Sequence, residues 1–235
     1  KPRPFTGAGL FHAFGRDGVS AFAEALEGTG AEIVHQEFVP TDTTDFTAAA
    51  ERIFQAMADV EAERRVLFII WAGGGNPMGA LNAMDPSRFG VEIATGGNIL
   101  PALVAYRDLP GLEGATYYYY EIPQNEVNDW LVETHFERFG TPPDFFTAGG
   151  MAAGIAIVEA IEAAGTYEDT EALIAAMEGM TWETPKGPMT FRPEDHQAMQ
   201  SMYHFRIEVQ DGVDWGVPVL VREIEAGDMD VPIRN

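Results

Sequence analysis

The chain has 235 residues, of which 46% are hydrophobic and 22% charged, a balance typical of a globular protein with a substantial core. Acidic residues number 37 against 14 basic ones, and the net charge of -23 argues against binding to nucleic acid or to an anionic membrane surface. Because cysteine is absent, disulfides, cysteine-ligated metal centres and thiol catalysis are excluded.

The first hundred residues alternate between strand and helix signals. Residues 66–71 form a continuous apolar run of strand length, which is typical of a strand buried on both faces of a parallel sheet. Residues 46–57 place apolar side chains at helical spacing after a turn rich in Thr and Asp that suits a helix cap. We predict strands at 4–10, 31–39, 66–71 and 91–95, and helices at 15–30, 46–57, 77–84 and 99–106.

This alternation predicts an α/β fold with a doubly wound parallel sheet. Ligands of such sheets bind outside the carboxyl ends of the strands. Two glycine-rich segments, 73–75 and 96–97, follow predicted strands at that edge. Trp71 precedes the first of them, so an aromatic surface stands beside bare backbone, which suits stacking of a small ligand.

The pattern changes after residue 115. A strand over 115–121 carries four consecutive tyrosines, two of which we expect to pack inside, and helices follow at 124–139, 144–164 and 169–179. The second helix is apolar nearly all round, which indicates a buried helix. A segment with Pro and Gly covers 181–197, and strands are predicted at 201–209 and 215–222. Breaks near 115–121 and 190–205 suggest crossings between two lobes.

Other motifs give weaker signals. Thr6-Gly7-Ala8-Gly9 is similar to the start of a dinucleotide fingerprint, so an NAD(P)-dependent oxidoreductase stays open beside a plain turn. His12 lies in a predicted strand-to-helix loop, where its side chain either binds a ligand or is solvated. No histidine pair has metal-ligand spacing and no serine nucleophile motif occurs, so we expect no catalytic residues, metal or cofactor.

Several segments resemble the substrate-binding proteins of branched-chain amino-acid (Leu/Ile/Val-type) ABC transporters. They include Phe14-Gly15-Arg16-Asp17-Gly18, the linker 38–46, the strand and turn 68–74, and Arg138-Phe139-Gly140 with the following Pro143-Asp144. The longest is 184–197, which begins Thr184-Pro185-Lys186-Gly187-Pro188. The resemblance runs over about residues 5 to 222.

The resemblance implies a type I periplasmic binding protein fold, with two α/β lobes that clamp a ligand between them. It assigns 1–117 to the C-terminal-type lobe, 118–200 to part of the N-terminal-type lobe, and 201–235 to return strands and a tail. It also implies a periplasmic or extracytoplasmic location, an ABC permease and ATPase as partners, and a monomer that performs no chemistry. A sensor or receptor ligand-binding domain with the same fold is the other alternative.

Family members carry a further N-terminal stretch that builds the sheet of one lobe. We therefore expect the first lobe to be incomplete in this chain, with the apolar helix at 144–164 exposing a patch. The expected consequence is an intact mass above 25.7 kDa, or pairing with a complementary chain.

The resemblance also places candidate ligand contacts. Phe14 and Gly74 fall at or near tyrosine positions of amino-acid binders, and 95–98 falls where those binders place a glutamate for the ligand ammonium. No acid stands there, and a buried ammonium without a carboxylate partner is costly. We therefore expect a small organic acid, with an aromatic ring stacking near Trp71 and Phe14, in place of a plain α-amino acid. The candidate ligand-binding residues are His12, Phe14, Trp71, Gly73, Gly74, Thr95, Gly96 and Asn98.

Overall fold

A computed structural model describes residues 4–10, 13–40, 42–71, 77–96 and 99–233. The strands are β1 Pro4–Leu10, β2 Glu32–Val39, β3 Arg65–Ile70, β4 Val91–Gly96, β5 Glu113–Thr116, β6 Thr181–Thr184, β7 Gly187–Phe191, β8 Ala198–Met199, β9 Met202–Glu208 and β10 Val217–Ile224. The α-helices are α1 Ala13–Leu26, α2 Thr47–Ala56, α3 Met78–Ala83, α4 Leu100–Tyr106, α5 Glu126–Phe139, α6 Phe145–Ala164 and α7 Thr170–Met177. Short 3-10 helices are Ala62–Arg64, Pro86–Phe89 and Ala226–Asp228.

One sheet has the strand order β10-β9-β5-β4-β3-β1-β2. The pairs β1 with β2, β1 with β3, and β3 with β4 are parallel. Helices connect these parallel strands, which confirms the predicted α/β class. A second sheet, β6-β7-β8, is antiparallel.

The chain divides into two compact units. Unit 1 comprises Lys1–Gly96, Pro101–Gly114 and Arg206–Val217. Unit 2 comprises Gly97–Leu100, Ala115–Phe205 and Pro218–Asn235. The lobe boundaries proposed from sequence, after residues 117 and 200, stay a prediction.

Strand β3 is covered on both faces, as its apolar run predicts. On one face the ring of Phe68 stacks on Phe22 of α1, with centroids 4.0 Å apart and planes 8° apart. On the same face Gly18 of α1 lies so close that an added Cβ would be 2.9 Å from the Ile70 side chain. Leu67 alternates to the opposite face of the pleat and is fully buried. These contacts fix α1 directly against the centre of the sheet.

Helix α2 follows the predicted cap cluster. The carboxylate of Asp45 accepts a hydrogen bond from the Thr47 amide at 2.9 Å, and this bond lowers the pKa of Asp45. The buried residues of α2 are Ala49, Ala50, Ile53 and Phe54. Their spacing is that of one helical face, so the predicted amphipathic helix is confirmed.

The core of unit 2 joins α6 to the β6–β7 hairpin. The Trp182 indole donates to the Ala152 carbonyl at 3.0 Å and its ring stacks on Phe191 with centroids 4.4 Å apart. The segment 181–197, which carries Pro and Gly and for which no strand was predicted, contains both strands of this hairpin. Thr184 pairs with Gly187, so Pro185 and Lys186 form a two-residue hairpin turn.

The tyrosine run is not a strand, which corrects a second prediction. Strand β5 ends at Thr116, before the first tyrosine. The side chain of Asn128 holds the following segment: its oxygen accepts from the Tyr118 hydroxyl at 2.7 Å, and its nitrogen donates to the carbonyls of Tyr120 and Pro123 at 2.9 and 3.1 Å. These carbonyls bond to a side chain of α5, so this segment needs no strand partner for them.

Helix α6 buries only one face, which corrects the prediction of a helix buried all round. The buried face consists of Ala148, Ala152, Ala156 and Ala160. The side chains of Ile157 and Val158 are 53% and 55% exposed, so the expected apolar patch is present in the described part of the chain. By length and composition α6 could also cross a membrane. Its alanine face packs on Trp182 and Met189 in the core of unit 2.

Candidate functional site

The carboxyl ends of three neighbouring strands bring together most of the sequence-predicted positions. In the parallel register Gly9 of β1 is opposite Ile70 of β3, and Ile69 of β3 is opposite Thr95 of β4. Trp71 follows β3 directly, and α1 begins three residues after β1 ends. The topology therefore places Trp71, Thr95 and the first turn of α1 at one edge of the unit 1 sheet.

Trp71 lies on the α2 side of this edge and is half-buried. Its ring meets the Phe46 ring edge-on, with centroids 5.1 Å apart and planes at 83°. It also packs on the buried cluster that contains Val39 and Ala49. The indole is thus held by packing while part of its surface stays accessible, an arrangement that allows an aromatic or apolar ligand group to stack on it.

A small apolar pocket, with a cavity volume of about 30 Å³, lies beside Trp71 within unit 1. Residues of β2, β3, α2 and α3 line it, together with the loop residues that precede the two helices. The lining consists of Glu37, Val39, Phe46, Ala49, Ala50, Ile53, Ile69, Trp71, Pro77 and Leu81. The lining is almost wholly apolar, so this part of the edge favours contact with an uncharged, apolar group.

Glu37 is the one ionisable group in that lining, and its charge is already matched. Arg52 donates from Nε to the carboxylate at 3.2 Å, and His35 Nε2 lies 3.1 Å from it. The hydrogen bond from Arg52 is the main reason that the pKa of Glu37 is lowered. The carboxylate therefore ties β2 to α2, and the remaining lining is apolar.

Thr95 is buried, and its hydroxyl is engaged within the unit. It donates to the Ile69 carbonyl at 3.3 Å and lies 3.4 Å from the Tyr106 hydroxyl of α4. Burial raises the pKa of Tyr106, so the phenol stays neutral and can donate. This link holds the end of β4 against β3 and α4.

The other predicted site residues are described only in part. Phe14 is the second residue of α1 and Gly96 is the last residue of β4. The remaining candidates lie outside the described residues: His12, Gly73, Gly74 and Asn98. The structure therefore brings Trp71, Thr95 and Gly96 to one edge with the start of α1.

Sequence reasoning did not anticipate the pocket itself. Phe46 and Ile53 were predicted as core residues of a helix face, and helical spacing alone does not reveal that such a face is incompletely filled. The large Trp71 at a strand end was the available signal. In the described ranges, no group of three or more His, Asp or Glu side chains is arranged to hold a metal ion.

The dinucleotide interpretation fails on the position of its glycines. Gly7 pairs with Gln36 and Phe68, and Gly9 pairs with Phe38, all inside the parallel sheet. A dinucleotide fingerprint needs these glycines in the turn between strand and helix, where backbone amides meet the pyrophosphate. Residues 6–9 are therefore ordinary strand residues.

The fold is that of an α/β protein with a parallel sheet, and the carboxyl ends of the strands are where such sheets hold small ligands. A family model described as periplasmic binding protein matches residues 5–213. The match spans most of the chain, so the chain belongs to the periplasmic binding protein family, and the expected type I fold is confirmed.

Two relatives extend the likeness. The crystal structure of an ABC-type branched-chain amino acid transporter from Rhodopseudomonas palustris CGA009 is 55% identical with a TM-score of 0.88, and the match covers 99% of this chain and 62% of that one. A Leu/Ile/Val-binding protein homolog 6 from Brucella melitensis is 27% identical over 200 residues, which are 80% of this chain and 49% of the relative. The resemblance to branched-chain amino-acid binding proteins is thereby confirmed.

A third relative is known with a ligand. The solute binding protein of an ABC transporter from Rhodopseudomonas palustris BisB5, in complex with 3,4-dihydroxybenzoic acid, is 25% identical with a TM-score of 0.75. The match covers 95% of this chain and 61% of that one. The chain thus spans about half the length of the curated relative and under two thirds of these solved structures.

Proposed function

We propose that the protein is the extracytoplasmic solute-binding component of an ABC importer. It delivers a small solute to a membrane permease and ATPase and performs no chemistry itself. The family membership and the 55% identity to an ABC-type branched-chain amino acid transporter protein support this role. A ligand that binds one conformation of such a protein better than another shifts the population toward it, which is how binding is signalled to the partner.

The ligand class we propose is a small organic acid with an aromatic or branched apolar group. The observation that carries this choice is the half-buried Trp71 beside an apolar pocket whose one carboxylate is already paired. Residues 95–98 offer no acid for an ammonium group. The relative that binds 3,4-dihydroxybenzoic acid adds support for an aromatic carboxylate.

Titration calorimetry of the full-length protein tests this proposal. We expect 3,4-dihydroxybenzoate or a similar aromatic carboxylate to bind more tightly than leucine. Trp71→Ala should weaken binding by at least about fivefold, because a stacked aromatic contact contributes roughly 1 kcal/mol beyond its buried area.

Trp130→Ala is the matched control, since Trp130 is 56% exposed on α5 of unit 2. That variant should bind like the wild type. Leucine binding that is tighter than binding of every aromatic carboxylate tried would refute the ligand class and leave the transport role standing. A Trp71→Ala variant with unchanged affinity would remove Trp71 from the site.

A further inference from the structure

A second cavity lies within unit 2, between α7 and the residues at the end of β7. Its volume is about 100 Å³, larger than that of the pocket beside Trp71. The lining consists of Ile174, Met177, Glu178, Phe191 and His196. Three of these side chains are apolar and two are ionisable. The proposed transport role makes no use of this cavity.

The backbone around the cavity is tied together. Gly179 donates its amide hydrogen to the Phe191 carbonyl, and Phe191 donates to the Met180 carbonyl, both at 3.0 Å. These two bonds hold the segment after α7 against the last residue of β7. The cavity is therefore lined by two elements whose spacing is fixed, as a preformed binding site requires.

The loop after β7 holds His196 in an unusual backbone conformation. Its φ is 60°, in the left-handed region, which costs free energy for a residue with a Cβ. The His196 amide donates to the Arg192 carbonyl at 2.8 Å, and the Arg192 guanidinium donates to both oxygens of Asp195 at 2.7 and 2.6 Å. The Asp195 side chain is only 4% exposed, so a buried ion pair fixes this turn. Strain of this kind is concentrated at functional sites, and here it places the imidazole at the cavity.

The imidazole meets one carboxylate. His196 Nε2 lies 3.1 Å from Oε1 of Glu178, and with a proton on Nε2 the ring donates to that oxygen. Among the described residues nothing else bonds to the Glu178 side chain, so its second oxygen can accept a further hydrogen bond. The His196 and Glu178 side chains are 60% and 43% exposed, so a solute reaches them directly from water. The cavity thus combines an apolar surface with a carboxylate that has acceptor capacity left.

We propose that this cavity binds a small alkylammonium solute, with the alkyl group on Met177 and Phe191 and the ammonium on Glu178. An ammonium has three donors and no acceptor, and it pairs with a carboxylate. Since a cavity of about 150 Å³ holds benzene, this one suits a branched alkyl group of about four or five carbons. The net charge of -23 also raises the local concentration of cations and lowers that of anions.

NMR titration of the isotope-labelled full-length protein with isopentylammonium tests the site. Isopentanol and isovalerate are matched probes, because they keep the alkyl group and replace the ammonium by a hydroxyl or a carboxylate. We expect saturable shifts at residues 174–179 and 191–197, with millimolar affinity for isopentylammonium, several-fold weaker binding of isopentanol and no saturation with isovalerate. Equal affinity for the ammonium and the alcohol would overturn the proposal, as would tighter binding of isovalerate or the absence of saturable shifts with isopentylammonium.

Two variants separate the carboxylate from the apolar surface. Glu178→Gln keeps the shape of the lining, so it should weaken isopentylammonium binding several-fold and leave isopentanol binding unchanged. Ile174→Phe fills the cavity and should abolish the shifts with both probes, with thermal unfolding confirming that the variant is folded. Isopentylammonium binding at wild-type strength in either variant would contradict the proposal.

Glu162→Gln, at an exposed position on α6, loses the same charge outside the cavity and is the matched control. It should bind isopentylammonium like the wild type, and an equal loss in both glutamine variants would reduce the effect to net charge alone and overturn the proposal. Trp71→Ala should also leave this binding unchanged, because Trp71 belongs to unit 1. Failure of the cavity in unit 2 therefore leaves the proposed transport role standing.

Discussion

Gly90 connects the 3-10 helix Pro86–Phe89 to β4 in a conformation that only glycine adopts at low cost. Its φ is 65°, in the left-handed region, and an added Cβ would lie 2.5 Å from Cβ and 3.1 Å from Cα of Ala62. The second contact involves backbone, which cannot rotate away. Gly90 therefore lets the chain turn into β4 while it touches the 3-10 helix Ala62–Arg64 that leads into β3.

Gly90→Ala should lower the free energy of unfolding by roughly 2–4 kcal/mol, because left-handed strain and overpacking add. Gly111→Ala separates the two causes: its φ is 88°, and nothing lies within 4 Å of the added Cβ. It should cost only about 1–2 kcal/mol. Urea unfolding of both variants measures the difference, and equal losses would contradict the contact with Ala62.

The elements that sequence reasoning found are those whose signal is local. The run 66–71 specifies β3 because a continuous apolar strand must be covered on both faces, and Phe22 and Leu67 show both faces in use. The segment after Thr116 was misassigned because tyrosines favour strands, while Asn128, several residues away in the chain, supplies the hydrogen bonds that decide its shape. Such a partner is invisible to local propensity.

The position of the candidate site could be predicted from the sequence, but its pocket could not. Parallel strands put their carboxyl ends at one edge, so the neighbourhood of Trp71 and Thr95 followed from element order alone. The pocket beside Trp71 depends on how the Phe46 and Ile53 side chains fill the space between sheet and helix. How completely these side chains fill that space is decided by the folded unit as a whole, so the sequence of one helix does not reveal it.

Asn128→Ala should destabilise unit 2 by about 2–4 kcal/mol. It leaves the Tyr118 hydroxyl and two backbone carbonyls without their partner in a buried place. Gln124→Ala is the comparison, since its side-chain bond to the Glu121 carbonyl is exposed to water, and it should cost under about 1 kcal/mol. Thermal unfolding compares the two, and a loss from Asn128→Ala no larger than that from Gln124→Ala would contradict the role of Asn128.

At the scale of the whole molecule, the net charge of -23 and the family fold are consistent with the proposed role in binding a small solute. The negative field disfavours nucleic acids and anionic membranes as partners. It also opposes the approach of an anionic ligand, so a carboxylate must bind through local hydrogen bonds and through stacking on Trp71. The proposed ligand class therefore depends on the Trp71 side chain at the carboxyl edge of the unit 1 sheet.

A crystal structure of the full-length protein soaked or grown with 3,4-dihydroxybenzoate tests the contact between ligand and Trp71 most directly. The account predicts the ligand ring within about 7 Å of the Trp71 ring centroid, the range of stacked and edge-on aromatic pairs. A bound ligand at a distant place, with Trp71 covered by protein atoms, would contradict it.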